Sequence, residues 1–138
     1  MHHNKIYQFN IKPIDKKINF NKKITSNYNK QDYSKIIVRK PWGYEYVIFQ
    51  DNNVCVTILY INKGHQTSMH CHSRKKTSLI VLDGKVYCLN LEKKIILKAG
   101  EGVQIAKKVF HQTKTINNDS IIMEIETPNM KYNLLRLK

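Results

Sequence analysis

Between Tyr44 and Glu126 no stretch has apolar residues spaced at three and four positions for long enough to make an amphipathic helix. The chain is cut instead into short apolar and β-branched runs by turn-forming residues. Tyr44 to Gln50 ends at Asp51-Asn52-Asn53, and Val54 to Ile61 ends at Asn62-Lys63-Gly64. Thr77 to Asp83 closes on Gly84. Val86 to Asn90, Lys94 to Leu97, Val103 to Ile105, Phe110 to Ile116 and Ser120 to Glu126 follow, punctuated by Gly100-Glu101-Gly102 and Asn117-Asn118-Asp119. Short strands at this spacing bury one face each and must close on one another, so the expected fold is an all-β barrel or sandwich. The 138 residues suffice for one core and carry no internal repeat.

The chemistry concentrates in Gly64 to Gly84. His70 and His72 stand one residue apart, and on a strand such side chains leave the same face, so both can enter one cavity. A third histidine, His111, ends the run Ala106-Lys107-Lys108-Val109-Phe110-His111. Three neutral imidazoles, two from one strand and one from a later strand, can hold Zn²⁺, Fe²⁺, Mn²⁺, Ni²⁺ or Cu²⁺. The alternative is that they are hydrogen-bonded polar groups of the barrel interior. Gln66 shares the face of His70 on a regular strand, as an extra ligand or a partner for substrate. Glu124 and Glu126 share one face of the last long strand, with Ile125 on the other. If that face is inward, one of them is the natural general base; if outward, both pair with lysines in solvent. Lys75 and Tyr87 can reach the barrel mouth. Arg39, Lys75, Lys76, Lys107 and Lys108 flank the histidine segments and suit a phosphate, or merely solvate the surface.

These residues resemble the two cupin motifs. Gly64, His70, His72 and Gly84 match the first at the family spacing, with Thr77 where the family has Glu. Gly100 and His111 match the second, with Ala106, Lys108 and Thr115 in place of Pro, Gly and Asn. Lys40-Pro41-Trp42-Gly43-Tyr44-Glu45 is similar to the opening of the cupin domain of type II mannose-6-phosphate isomerases, often fused to mannose-1-phosphate guanylyltransferases. Glu124-Ile125-Glu126-Thr127-Pro128 and Leu134-Leu135-Arg136-Leu137 are similar to its close. The resemblance implies a cupin-type double-stranded β-helix, a jelly-roll barrel, over residues 36–138. It further implies a divalent metal ion on His70, His72 and His111, a sugar phosphate or nucleotide-sugar as substrate, isomerase or epimerase chemistry in polysaccharide biosynthesis, and a homodimer. A non-catalytic sugar-binding cupin or accessory subunit is the alternative. An iron-dependent oxygenase fits less well, because that chemistry favours two histidines and a carboxylate.

Residues 1–35 read as an N-terminal extension, rich in Asn and Lys with apolar residues scattered singly. Either it is partly ordered or it is an arm that pairs with the barrel or a second subunit. Ile18 and Phe20 alternate with polar neighbours and suggest a short edge strand there. Trp42 either stacks on a ligand or anchors the first strand in the core. Lys+Arg number 24 against 10 Asp+Glu, a formal net charge of +14, which favours anionic partners. No nucleic-acid motif accompanies that charge, and abundant Lys, Asn and Ile follow equally from an AT-rich genome, so nucleic acid is not the expected partner. Cys55, Cys71 and Cys88 are an odd set without Cys-x-x-Cys, pointing to a reducing compartment. With no signal peptide and no membrane-length apolar run, a cytoplasmic protein is expected.

Overall fold

The computed structural model describes residues 5–18, 37–130 and 134–137. In chain order its elements are β1 (Ile6–Phe9), α1 (Pro13–Lys17), β2 (Val38–Lys40), β3 (Gly43–Gln50), β4 (Cys55–Ile61), β5 (His70–Cys71), β6 (Lys76–Asp83), β7 (Lys85–Leu89), β8 (Lys94–Lys98), β9 (Gly102–Ile105), β10 (Gln112–Thr115), β11 (Ser120–Thr127) and β12 (Leu135–Arg136). One sheet runs β1-β9-β6-β11-β4-β3-β2, a second β10-β7-β8, and a third pairs β12 with β5. The expected all-β fold and strand set are present, and the described residues hold a single short helix beside the barrel.

Strand periodicity explains the packing. In β7, Val86 and Cys88 are buried while Lys85 is exposed; in β6, Thr77, Leu79 and Val81 are buried between more accessible neighbours. Val86, Cys88 and Leu97 from the smaller sheet join Leu59, Leu79, Val81, Ile105 and Ile122 from the larger one in a single apolar cluster. The two sheets therefore close face to face, as a double-stranded β-helix requires. β11 is the keystone of the larger sheet, pairing antiparallel with both β4 and β6. Its register sets Glu126 between Cys55 and Thr77, and Glu124 between Thr57 and Leu79.

The N-terminal segment contributes a strand at Ile6–Phe9, which runs parallel to β9. Ile18 caps the C-terminal end of α1, and Phe20 lies outside the described residues. Phe9 is 1% exposed within the core cluster, a burial that stabilises by about 2–3 kcal/mol. Asp15 is buried too: its carboxylate accepts hydrogen bonds from Lys12 N at 2.9 Å and Phe110 N at 3.1 Å. Residues 5–18 thus dock on their own barrel, and Phe9 needs no second subunit to bury it. One buried position in a four-residue strand leaves no period to read, which is why these apolar residues look scattered.

Gly43 opens β3 at φ 151°, where side chains are strained, and an added Cβ would overlap the Tyr60 carbonyl. Beside it Asn62 N donates to Trp42 O at 2.8 Å, so the two backbones cannot part cheaply. Gly43→Ala is expected to lower unfolding stability by about 3 kcal/mol. The urea midpoint should fall with the m value unchanged, and a wild-type midpoint would contradict this account.

Candidate metal centre

His70 and His111 face each other across an isolated antiparallel bridge. His111 N donates to His70 O at 2.8 Å and His70 N to His111 O at 3.0 Å, which fixes both backbones and sets the ring centroids 4.5 Å apart. β5 ends at Cys71, so His72 lies just beyond the strand, yet its ring still turns to the same side, 5.1 Å from His70 and 5.6 Å from His111. One ring nitrogen from each histidine lies within 4.8 Å of the others. Cys71 between them is fully buried away from this cluster. Burial, with Asp15 nearby, pushes its thiol up to about 12, so it is a packed apolar side chain and not a ligand.

The hydrogen bonds select a tautomer. His70 Nδ1 lies 2.8 Å from Ser68 O, and His111 Nδ1 lies 2.9 Å from Val109 O. A carbonyl only accepts, so each Nδ1 carries the hydrogen and each Nε2 keeps its lone pair. That is the arrangement in which backbone carbonyls orient metal-binding imidazoles. Burial holds His70 well below its ordinary pKa, helped by His111, and lowers His111 to about 4, so both rings are neutral at pH 7. His111 Nε2 is buried without a hydrogen-bond partner among the described residues, a situation that costs about 1–3 kcal/mol unless something fills it. A divalent cation would do so, and the three residues fit one.

The cluster lies in a cavity of about 1070 Å³ whose other wall is charged. Glu124 and Glu126 enter it from β11 and Glu45 from β3. Lys75 Nζ lies 2.7 Å from Glu126 Oε2 and donates to Met130 O at 2.9 Å; Lys40 Nζ lies 3.3 Å from Glu45 Oε1. Desolvation, then repulsion from Glu126 and Glu45, raises the Glu124 pKa well above the usual carboxylate range. Burial raises Glu45 as well, against the opposing pull of Lys40. Arg136, paired across β12–β5 with His70, also lines the cavity, and its Nε is buried without a hydrogen-bond partner among the described residues.

Of the residues singled out in the sequence, His70, His72, His111, Glu124, Glu126, Gln66 and Lys75 all line this cavity. Lys75 is buried against Glu126 and does not stand at an open rim. Arg39 and Tyr87 are elsewhere, for one reason: strand parity. Val38 and Lys40 face the cavity, so Arg39 between them points to solvent. Val86 and Cys88 face the core, so Tyr87 faces outward, where Lys94 Nζ sits 4.4 Å from its ring centroid. Trp42 packs on the core cluster and also lines the cavity. Lys40, Glu45 and Arg136 were not among the site residues expected from sequence. All three stand in the flanking segments Lys40–Glu45 and Leu134–Leu137, where the resemblance marks the segment and not the side chain.

Fold and site together define a cupin-type double-stranded β-helix with a three-histidine cluster inside. Solved structures of similar fold include proteins described as cupin-like or as members of the cupin superfamily. KdgF from Halomonas sp. superposes with a TM-score of 0.63 at 15% identity, over 66% of this chain and 84% of its own. A cupin-like protein from Thermotoga maritima gives 0.62 at 24% identity, over 68% and 74%. A cupin-superfamily sugar phosphate isomerase from Silicibacter pomeroyi gives 0.57 at 11% identity, over 61% and 58%. No family model and no curated protein matches the sequence. Among the described residues no helix is long and apolar enough to cross a membrane.

Proposed function

We propose that this chain is a metal-dependent cupin that isomerises or epimerises a sugar phosphate or nucleotide-sugar. The observation that carries the reading is the placement of a carboxyl pair, Glu124 and Glu126, in the same cavity as the three imidazoles. A divalent ion on His70, His72 and His111 would supply positive charge to a substrate oxygen. Glu124 takes a proton from the carbon beside the substrate carbonyl and returns it to a neighbouring carbon or to the opposite face. Lys40, Lys75 and Arg136 at least match the carboxyl groups Glu45, Glu124 and Glu126 in charge, because burial pushes Glu124 toward its neutral form, so a bound divalent ion leaves a positive site, which favours an anionic substrate. Arg136, with its unpartnered Nε, holds the phosphate, and Gln66 at the mouth binds sugar hydroxyls.

The likeness of Lys40 to Glu45 and of Leu134 to Leu137 to type II mannose-6-phosphate isomerases supports the substrate class and a place in polysaccharide assembly, as does the sugar phosphate isomerase of similar fold. Three free buried cysteines suit work in the cytoplasm. Val47, Ile48 and Phe49, exposed beside the cavity, offer the apolar area that a homodimer would cover.

The test is calorimetry of the metal-loaded protein with sugar phosphates and nucleotide-sugars, followed by turnover in deuterium oxide. Binding with deuterium uptake at a substrate carbon is expected. Binding without uptake leaves a non-catalytic sugar-binding cupin, and no binding by any of them rejects the substrate class.

A further inference from the structure

Three imidazoles bring no negative charge to a divalent ion, and a carboxylate beside the cluster comes from another strand. Glu126 Oε2 lies 3.7 Å from His72 Nε2. Two ligand atoms on a tetrahedral ion, each at about 2.0–2.1 Å from it, are about 3.3 Å apart. Glu126 therefore already stands near ligand spacing from His72. On β6 its cross-strand neighbour is Thr77, a short, fully buried side chain whose hydroxyl has no hydrogen-bond partner among the described residues. A small residue there leaves the ground between β6 and the histidines to the Glu126 carboxylate. The same oxygen, Oε2, also takes Lys75 Nζ at 2.7 Å.

We propose that Glu126 is the fourth protein ligand of the three-histidine centre, supplied from β11, and that Lys75 competes with the metal for its Oε2. The inference rests on the reading that His70, His72 and His111 hold a divalent ion. Lys75 keeps the carboxylate aimed and neutralised until a cation replaces the ammonium at that oxygen. Its second bond, to Met130 O at 2.9 Å, gives the displaced ammonium somewhere to stay within the cavity wall. The carboxylate role then lies on β11, one strand over from Thr77, and Glu124 alone remains for proton transfer.

The test is Zn²⁺ affinity by chelator competition for the wild type, Glu126→Gln, Lys75→Met and the double variant Lys75→Met/Glu126→Gln. Losing the carboxylate should weaken binding by about 100-fold, above the roughly 10–100-fold typical of groups that only orient ligands. Losing the competing ammonium should tighten it by about 10-fold. Each single change strands a buried charge and can unfold the protein. The double variant removes both charges, and it should bind as weakly as Glu126→Gln. A double variant with wild-type affinity overturns the assignment of Glu126 while leaving the three histidines in place. A wild type that binds no Zn²⁺ overturns the centre itself, and this inference with it.

Discussion

Replacing His70 and His72 together by Ala should give a folded protein that retains no divalent ion after desalting, where the wild type retains about one per chain. The expectation is close to all-or-none because the two rings supply two of three nitrogens that lie within 4.8 Å of each other. His111 alone, even with a carboxylate nearby, is an ordinary weak site. Folding should survive: among the described residues the ring of His70 bonds to local groups, Ser68 O and Ser68 Oγ, while the backbone bonds between His70 and His111 do not depend on either side chain. Circular dichroism checks the fold and elemental analysis the metal. Metal content equal to wild type in the folded double variant would refute the centre.

The site forms where the sequence showed it because its central geometry is local. His70 and His72 are two residues apart, and in extended backbone that spacing puts both rings on one side, as it does here although β5 ends at Cys71. The long strands were legible for a similar reason: β6 and β7 bury alternate residues over at least five positions, and β4 and β11 are mostly apolar and β-branched runs that end at turn residues. What could not be read depends on pairing between distant segments. β5 and β12 have two residues each, too few for any period, and only their pairing brings Arg136 beside His70. The parallel contact of Ile6–Phe9 with β9 joins residues nearly a hundred positions apart, and a single buried Phe9 carries it.

Arg39 and Tyr87 show the cost of parity. Each is a plausible substrate group by type and neighbourhood, but each sits one residue out of phase with the cavity-facing or core-facing positions, and a one-residue shift sends a strand side chain to the opposite face. Lys75 shows the converse. Basic residues beside a motif look like a solvated rim, whereas this one is buried because a carboxylate from β11, some fifty residues away, receives it. The same pairing separates the two glutamates that the sequence left equivalent. Glu126 is held by Lys75 and lies near His72, while Glu124 has Glu126 and Glu45 as its electrostatic neighbours.

That separation gives the last expectation. Glu124→Gln should reduce deuterium exchange at the substrate carbon by about 10²–10⁴-fold, the usual contribution of a positioned acid–base group, while sugar binding changes by no more than a few-fold. The amide keeps the shape of the carboxyl and cannot move a proton. It also removes an ionisable group from between two other carboxylates, so the fold has no buried charge to compensate. Metal content should stay at the wild-type level, because the three histidines and Glu126 are untouched. This is what distinguishes Glu124→Gln from Glu126→Gln, in which exchange and metal affinity should fall together. If Glu124→Gln exchanges at the wild-type rate, Glu124 is not the base, and proton transfer would have to be sought at Glu126 or Glu45.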